Sequence, residues 1–339
     1  MQRPTIAMIC LVLVAGLGLT GAAPPPSTSP PSSPPAPPAP APGGLAIAPG
    51  AVVTPPDPTQ PSETLGLAAD AAARLTLPVM VDGQGPFDFV IDTAAERTVL
   101  SRELAAAAHL PEGPKIVVRG AAGDEDAPSA AVRALQVGER TIRDVDAPLL
   151  AAADLGAAGM LGIDALKDQH VVLDFEHHRM TSSHSRKDPE EAGAIIVRGQ
   201  YRFGQLILVD AHIRNVVVYV ILDTGAQTSI GNDVLRRMLT TGDPARDQFL
   251  STKVISVTGQ TVPADYEIIP SLEIGSLEVK HLPLAFARLH TFEIYGLGNR
   301  PALLLGMDIL GKFRRVTIDF KRREVSFSTF GSPLPFIQR

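Results

Sequence analysis

Residues Phe87–Ala95 read FDFVIDTAA, and residues Val218–Ala226 read VYVILDTGA. Each is a β-type apolar run that ends abruptly in Asp-Thr, a small residue and Ala. Working outward from the pair, further landmarks recur in the same order. A helix-like segment follows each, at Ser101–Leu110 and Asn232–Leu239. Next comes a glycine suited to a hairpin, Gly123 or Gly259, and then Leu135-Gln136-Val137-Gly138 or Leu272-Glu273-Ile274-Gly275. Last are Met160-Leu161-Gly162-Ile163-Asp164 and Leu304-Leu305-Gly306-Met307-Asp308, each leading to an apolar-Asp-Phe strand. The Asp-Thr units lie 131 residues apart and the Leu-Gly units 144 apart. Such spacing makes each repeat the size of a domain. The chain therefore holds two homologous halves, with strand-type periodicity throughout and few helical stretches.

An aspartate at the end of a buried strand is costly unless hydrogen bonds or a partner compensate it. The threonine beside it supplies a hydroxyl that can brace the loop, and a glycine next in line lets other backbone approach. One Asp-Thr-Gly is a common turn. Two Asp-Thr units, Asp92-Thr93-Ala94 and Asp223-Thr224-Gly225, at matching positions of a duplicated chain would meet at a pseudo-two-fold axis, bringing Asp92 and Asp223 together. Two carboxylates about 3 Å apart cannot both ionise, so they share a proton and hold one base and one acid in a single site. Such a pair can activate water and polarise a peptide carbonyl without a metal or a covalent nucleophile.

The rest of the sequence narrows the alternatives. The 339 residues are 45% hydrophobic and 19% charged, so most of the chain is globular. A net charge of -6 argues against a nucleic-acid binder, and the absence of Trp leaves few stacking platforms. The single cysteine, Cys10, excludes a disulfide framework and Cys-rich metal sites. Arg3, the apolar run Ile6–Leu19 and the small residues up to Ala23 read as a secretory signal over 1–22. The 19 uncharged residues from Thr5 to Ala23 also fit an uncleaved anchor, since a span needs about 20. Between Pro24 and Pro61 there are 16 prolines, which makes 23–64 an extended spacer rather than a packed element. The expected location is periplasmic or secreted, with a membrane attachment only if the first segment is retained.

On these residues the sequence resembles the retropepsin-like aspartic proteases, with two lobes fused in tandem. The resemblance covers about Leu65 to Ser328 and rests on Asp92-Thr93-Ala94-Ala95, Asp223-Thr224-Gly225-Ala226, Leu161-Gly162 and Leu305-Gly306. It implies an all-β, bilobed molecule of two closed β-barrels, with lobes at 65–185 and 197–330, a linker at 186–196 and a tail at 331–339. It further implies that Asp92 and Asp223 are the catalytic pair, and that Thr93 and Thr224 brace the loops by reciprocal bonds. Ala94 and Gly225 would then complete the loops, with Gly123 and Gly259 in flaps over an extended peptide held by main-chain bonds. The activity implied is hydrolysis of peptide bonds in a peptide or protein substrate by a monomer, with no cofactor and no metal. Two departures stand out. Ala94 replaces the usual glycine, and either crowds the site or fits because the backbone there needs no positive φ. Neither hairpin carries an obvious flap tyrosine. Two rival readings follow, a catalytically degenerate peptide-binding module with the same fold and a dimer in which each half pairs with its twin.

Other clusters read as structure. His177, His178 and His184 sit at a strand end, where an exposed, solvated group is the simpler reading than a metal site. Asp124-Glu125-Asp126 reads as a soluble hairpin tip, and Lys321-Arg322-Arg323 as a charged turn. Asp164 and Asp308 read as helix N-terminal acids.

Overall fold

A computed structural model describes residues 5–8, 12–14, 63–70, 74–166, 169–184, 194–202, 205–243, 247, 249–330 and 337–338. Residues 23–62 of the spacer and 186–193 of the linker lie outside the described residues, whereas their last residues begin the strands Glu63–Gly66 and Ile195–Arg202. Among the described residues, no helix is long and apolar enough to cross a membrane.

In the first half, six strands close into a barrel. Leu75–Val81 pairs antiparallel with Gln84–Ile91, which runs parallel to Gly159–Leu161. That short strand pairs antiparallel with Val99–Ser101, itself parallel to the end of Arg140–Leu150. Ser129–Val137 then pairs with Arg140–Leu150 and returns to Leu75–Val81. The second half repeats the circuit. Gln205–Leu208 and Ala211–Ile213 act as one interrupted strand, joined through Tyr219–Leu222, Ala302–Leu305, Ile230–Gly231, Leu277–Ala287 and Thr261–Ile274. The molecule is thus a two-lobed, all-β protein, as the duplication predicts. The helix-like segments form short helices at Arg102–Ala107 and Asp233–Leu239, capped by Ser101 and Asn232 side chains that accept N–H groups three residues on.

A third, antiparallel sheet welds the lobes. Its order is Glu63–Gly66, Arg179–His184, Gln169–Asp174, Arg315–Asp319, Glu324–Ser328 and Ile195–Arg202. Strands from both halves meet at its centre, where Leu173 opposes Val316. Asp174 ties this seam. Its carboxylate accepts from the His177 N–H at 3.0 Å and from Arg315 Nη2 at 3.1 Å, across the lobe boundary. Burial pushes Asp174 up, but the bonds from His177 and Arg315 outweigh it and hold the group at about 2. Because this value lies below that of an unfolded aspartate, the stabilisation is present above pH ~4 and is lost as pH falls toward 2. We expect Asp174→Asn to cost about 2 kcal/mol in urea unfolding at pH 7 and to remove that acid limb. His177 and His178 lie in the turn after the strand Gln169–Asp174, with His177 beside Asp174, whereas His184 ends the strand Arg179–His184. Asp174, Glu176 and His177 are close enough to share an ion, yet the Asp174 oxygens are already bonded to His177 and Arg315.

The recurrent Leu-Gly-x-Asp has a steric and a polar cause. A Cβ at Gly162 would sit 2.5 Å from the Arg97 backbone carbon, and one at Gly306 would sit 2.7 Å from that of Thr228. Backbone cannot yield as a side chain does, so only glycine fits. Gly306→Ala should cost about 3 kcal/mol, read as a fall in melting temperature. Asp164 and Asp308 do open short helices at Ile163–Leu166 and Met307–Leu310. Their main bonds, however, run to other segments. Asp164 accepts from Thr98 N–H and Oγ1 at 3.0 and 2.8 Å, and Asp308 accepts from Ser229 N–H and Oγ at 3.1 and 2.7 Å. Each pins the loop that follows an Asp-Thr unit.

Candidate active site

Both Asp-Thr units leave the interior ends of buried strands. The N–H groups of Asp92 and Asp223 donate to Leu161 and Leu305 carbonyls, both at 3.0 Å, which fixes each loop against the parallel strand beside it. The loops then interlock. Thr93 N–H donates to Thr224 Oγ1 at 3.1 Å, and Thr224 N–H donates to Thr93 Oγ1 at 3.2 Å. Each hydroxyl also crosses to the other lobe, Thr93 Oγ1 to the Leu222 carbonyl at 2.8 Å and Thr224 Oγ1 to the Ile91 carbonyl at 2.7 Å. All these groups are buried, so every bond replaces a contact with water that folding has removed.

The two carboxylates are fully buried beside this brace. Asp92 Oδ1 accepts from the N–H groups of Ala94 and Ala95 at 2.7 and 2.9 Å, and Asp223 Oδ1 accepts from Ala226 N–H at 2.9 Å. Oδ2 of each is buried with no hydrogen-bond partner among the described residues. Burial pushes Asp92 up to about 7, against the pull of the Ala94 and Ala95 N–H groups and the Arg74 guanidinium. Asp223 is raised well above the usual range by burial and by the charge of Asp92, while Ala226, Gly225 and Arg74 pull it down. Near neutral pH, the pair therefore retains a proton.

Ala94 fits its place. It is not among the residues with positive φ, so a methyl meets no backbone penalty, and Gly225 is likewise outside that region. Its N–H still reaches Asp92, and its side chain lies in an apolar cluster with Ala121, Ile207 and Tyr295. The methyl therefore carries no backbone penalty and leaves the bond from its N–H to Asp92 in place.

Two hairpins cover the loops. Ile116–Gly120 pairs with Gly123–Ala127, placing Gly123 opposite Gly120 beyond an Ala121-Ala122 turn. Leu250–Ser256 pairs with Thr261–Ile274, with Gly259 in the turn at φ +76°. The tips meet, since a Cβ on Gly120 would lie 3.3 Å from Ser256 Oγ. Each tip also reaches the opposite lobe. The Ala121 carbonyl accepts from His290 N–H at 2.8 Å, and Asp124 pairs with the His290 ring at 3.1 Å. Gly259 packs beside the Asp154 carboxylate of the first lobe. The acidic tip is thus partly spent on an interlobe contact. At the N-terminus, Thr5–Met8 runs parallel to Ile116–Arg119, and Val12–Val14 runs antiparallel to Val254–Ser256.

Three buried polar side chains around the loops escaped the motif search. Arg74 and Gln205 occupy matching places, one residue before Leu75 and Leu206, and Tyr295 follows the short helix His290–Ile294. Arg74 Nε donates to Asp70 Oδ2 at 2.6 Å and its Nη2 to the Leu155 carbonyl at 2.6 Å. The repeat alignment could have drawn attention to the first two, because a polar residue heads each otherwise apolar strand. Nothing local marks Tyr295.

Two six-stranded barrels, a shared antiparallel sheet and paired Asp-Thr loops at their junction define the bilobed aspartic protease class. The chain belongs to that family: residues 77–165 and 209–309, one region in each half, match the aspartyl proteases. No curated protein matches the chain.

Proposed function

We propose that this protein is an endopeptidase in which Asp92 and Asp223 form one dyad that activates water. The observation that carries this reading is the junction itself. Two buried carboxylates, one from each lobe, are locked by reciprocal threonine bonds, and each keeps one oxygen with no hydrogen-bond partner among the described residues. One carboxylate takes a proton from water as the water oxygen bonds to the peptide carbonyl carbon. The other gives its proton to the carbonyl oxygen, producing a neutral gem-diol. In the second step the carboxyl that received the proton from water gives it to the amide nitrogen, a gem-diol hydroxyl gives its proton to the other carboxylate, the C–N bond breaks, and the products are a carboxylic acid and an amine. The proton bookkeeping returns the dyad to one shared proton. Substrate lies extended beneath the hairpins, held by main-chain bonds to their strands. That Ala94 lies outside the positive-φ region and still donates its N–H to Asp92 supports this reading over a non-catalytic binding module.

The test is cleavage of a diverse peptide library across a pH series. The proposal requires internal cuts that a statine-containing peptide blocks and that a metal chelator leaves untouched. No cuts at any pH, with the protein folded by circular dichroism, would sink it. We also propose export, on the strength of Arg3, the apolar run Ile6–Leu19 and the proline-rich spacer. A fusion of residues 1–64 to an enzyme active only outside the cytoplasm should be active, and inactivity would refute export.

A further inference from the structure

The Ala94 carbonyl and the Ala95 N–H belong to one peptide group. Its N–H donates to Asp92 Oδ1 at 2.9 Å. Its carbonyl accepts two hydrogen bonds from the other lobe, from Tyr295 Oη at 2.8 Å and from Gln205 Nε2 at 3.1 Å. Both side chains are buried, so water does not compete for either bond. Donors on a carbonyl polarise its peptide and strengthen the N–H on the far side, most of all in a low-dielectric interior. A chain of bonds therefore runs from the second lobe, through one peptide, to the carboxylate of the first.

The matching peptide in the second lobe lacks this support. Its N–H, from Ala226, donates to Asp223 Oδ1 at 2.9 Å. No donor among the described residues reaches the Gly225 carbonyl. The counterpart of Gln205 is Arg74, and its guanidinium is turned to Asp70 and the Leu155 carbonyl instead. The pseudo-two-fold symmetry is broken at this point.

We propose that Gln205 and Tyr295 are positioning residues that act through the Ala94–Ala95 peptide to make Asp92 the charged carboxylate of the resting dyad and leave the proton on Asp223. The roles rest on the catalytic reading above: Asp92 then takes the proton from water, and Asp223 gives its own to the carbonyl oxygen. The charged groups that act on the pair are each other's carboxyls and the Arg74 guanidinium. Arg74 pulls on both carboxylates, whereas the donor pair on Ala94 acts on one side only. That the charge of Asp92 is among the causes raising Asp223 agrees with Asp92 ionising first.

The test reads the dyad directly. Full-length protein is labelled with 13C at aspartate carboxyls and titrated by NMR, with Asp92→Asn and Asp223→Asn identifying the two signals. The lower titration should belong to Asp92. Tyr295→Phe removes only a hydroxyl, and Gln205→Met keeps the side-chain length. Each should raise the lower titration by about 0.5–1 pH unit, move the acid limb of kcat/KM by the same amount, and reduce kcat several-fold with little change in KM. If Tyr295→Phe fails to fold, Gln205→Met alone decides. Folded variants with unmoved titrations, or a lower titration that belongs to Asp223, would overturn the proposal. The titration is readable in a protein that cuts nothing, so a silent enzyme with these shifts refutes the peptidase reading and leaves the asymmetry standing.

Discussion

Asparagine at position 92 or 223 should abolish peptide cleavage and, at neutral pH, make the protein more stable. The first effect follows from the proton count. A dyad needs one group to receive a proton and one to give it, and an amide does neither, so the loss should be about 10³-fold or more. The second follows from burial. Asp92 titrates near 7 in the folded protein, against 3.8 for an ordinary aspartate. Between those values the folded chain holds a proton that the unfolded chain releases, so stability falls as pH rises from about 4 to 7. For Asp92 this costs on the order of a few kcal/mol once the pH has reached about 7. Asparagine keeps an oxygen for the Ala94 and Ala95 N–H groups and removes the charge. Melting curves should therefore show the wild type losing several degrees between pH 4.5 and 7, and either variant losing much less. At about 2–4 °C per kcal/mol for a chain of this size, the difference is easily resolved. Variants less stable than wild type at pH 7 would mean that burial does not hold the carboxylates above their usual range as described.

Thr224→Val should be the most damaging single change outside the carboxylates. Valine has the shape of threonine, so packing is preserved and only the hydrogen bonds are lost. The Ile91 carbonyl loses its donor and the Thr93 N–H loses its acceptor, both in the interior. Each orphaned group costs about 1–3 kcal/mol, giving about 3–5 kcal/mol for the substitution, a large share of a typical domain's stability. Thr93→Val should cost a similar amount by symmetry, through the Leu222 carbonyl and the Thr224 N–H. Because the two hydroxyls serve one network, the double variant should cost less than the sum. Thr224→Ser keeps the hydroxyl and should lose little. Urea unfolding measures all four, and a cost below about 0.5 kcal/mol for Thr224→Val would contradict the brace.

Much of this architecture was legible in the repeats. Asp-Thr after a buried strand, glycine before an acidic helix start and a hairpin glycine between them are local signals, and each has a local cause. The Leu-Gly-x-Asp element was recognisable as a pair, but its reason was not. The glycine is required by backbone from Arg97 or Thr228, and the aspartate serves Thr98 or Ser229, contacts made across 60 residues or more. The donor pair on Ala94 lies further from sequence reasoning still. Gln205 and Tyr295 sit 111 and 201 residues from the carbonyl they hold. No periodicity reports such a bond, because it exists only after the two lobes have met. Ala94 shows the opposite limit. A departure from the expected glycine suggested strain, yet the third loop position in both lobes lies outside the positive-φ region, so the substitution is harmless to the backbone.

The central claim is that one chain, with its two lobes, builds one shared dyad. Its most direct test is peptide cleavage by wild type, by Asp92→Asn, by Asp223→Asn, and by an equimolar mixture of the two variants. One intramolecular dyad predicts that wild type cuts, that each folded variant is silent, and that the mixture is silent too. Activity regained in the mixture, or retained by either variant alone, would contradict it and place the working site between chains or in a single lobe.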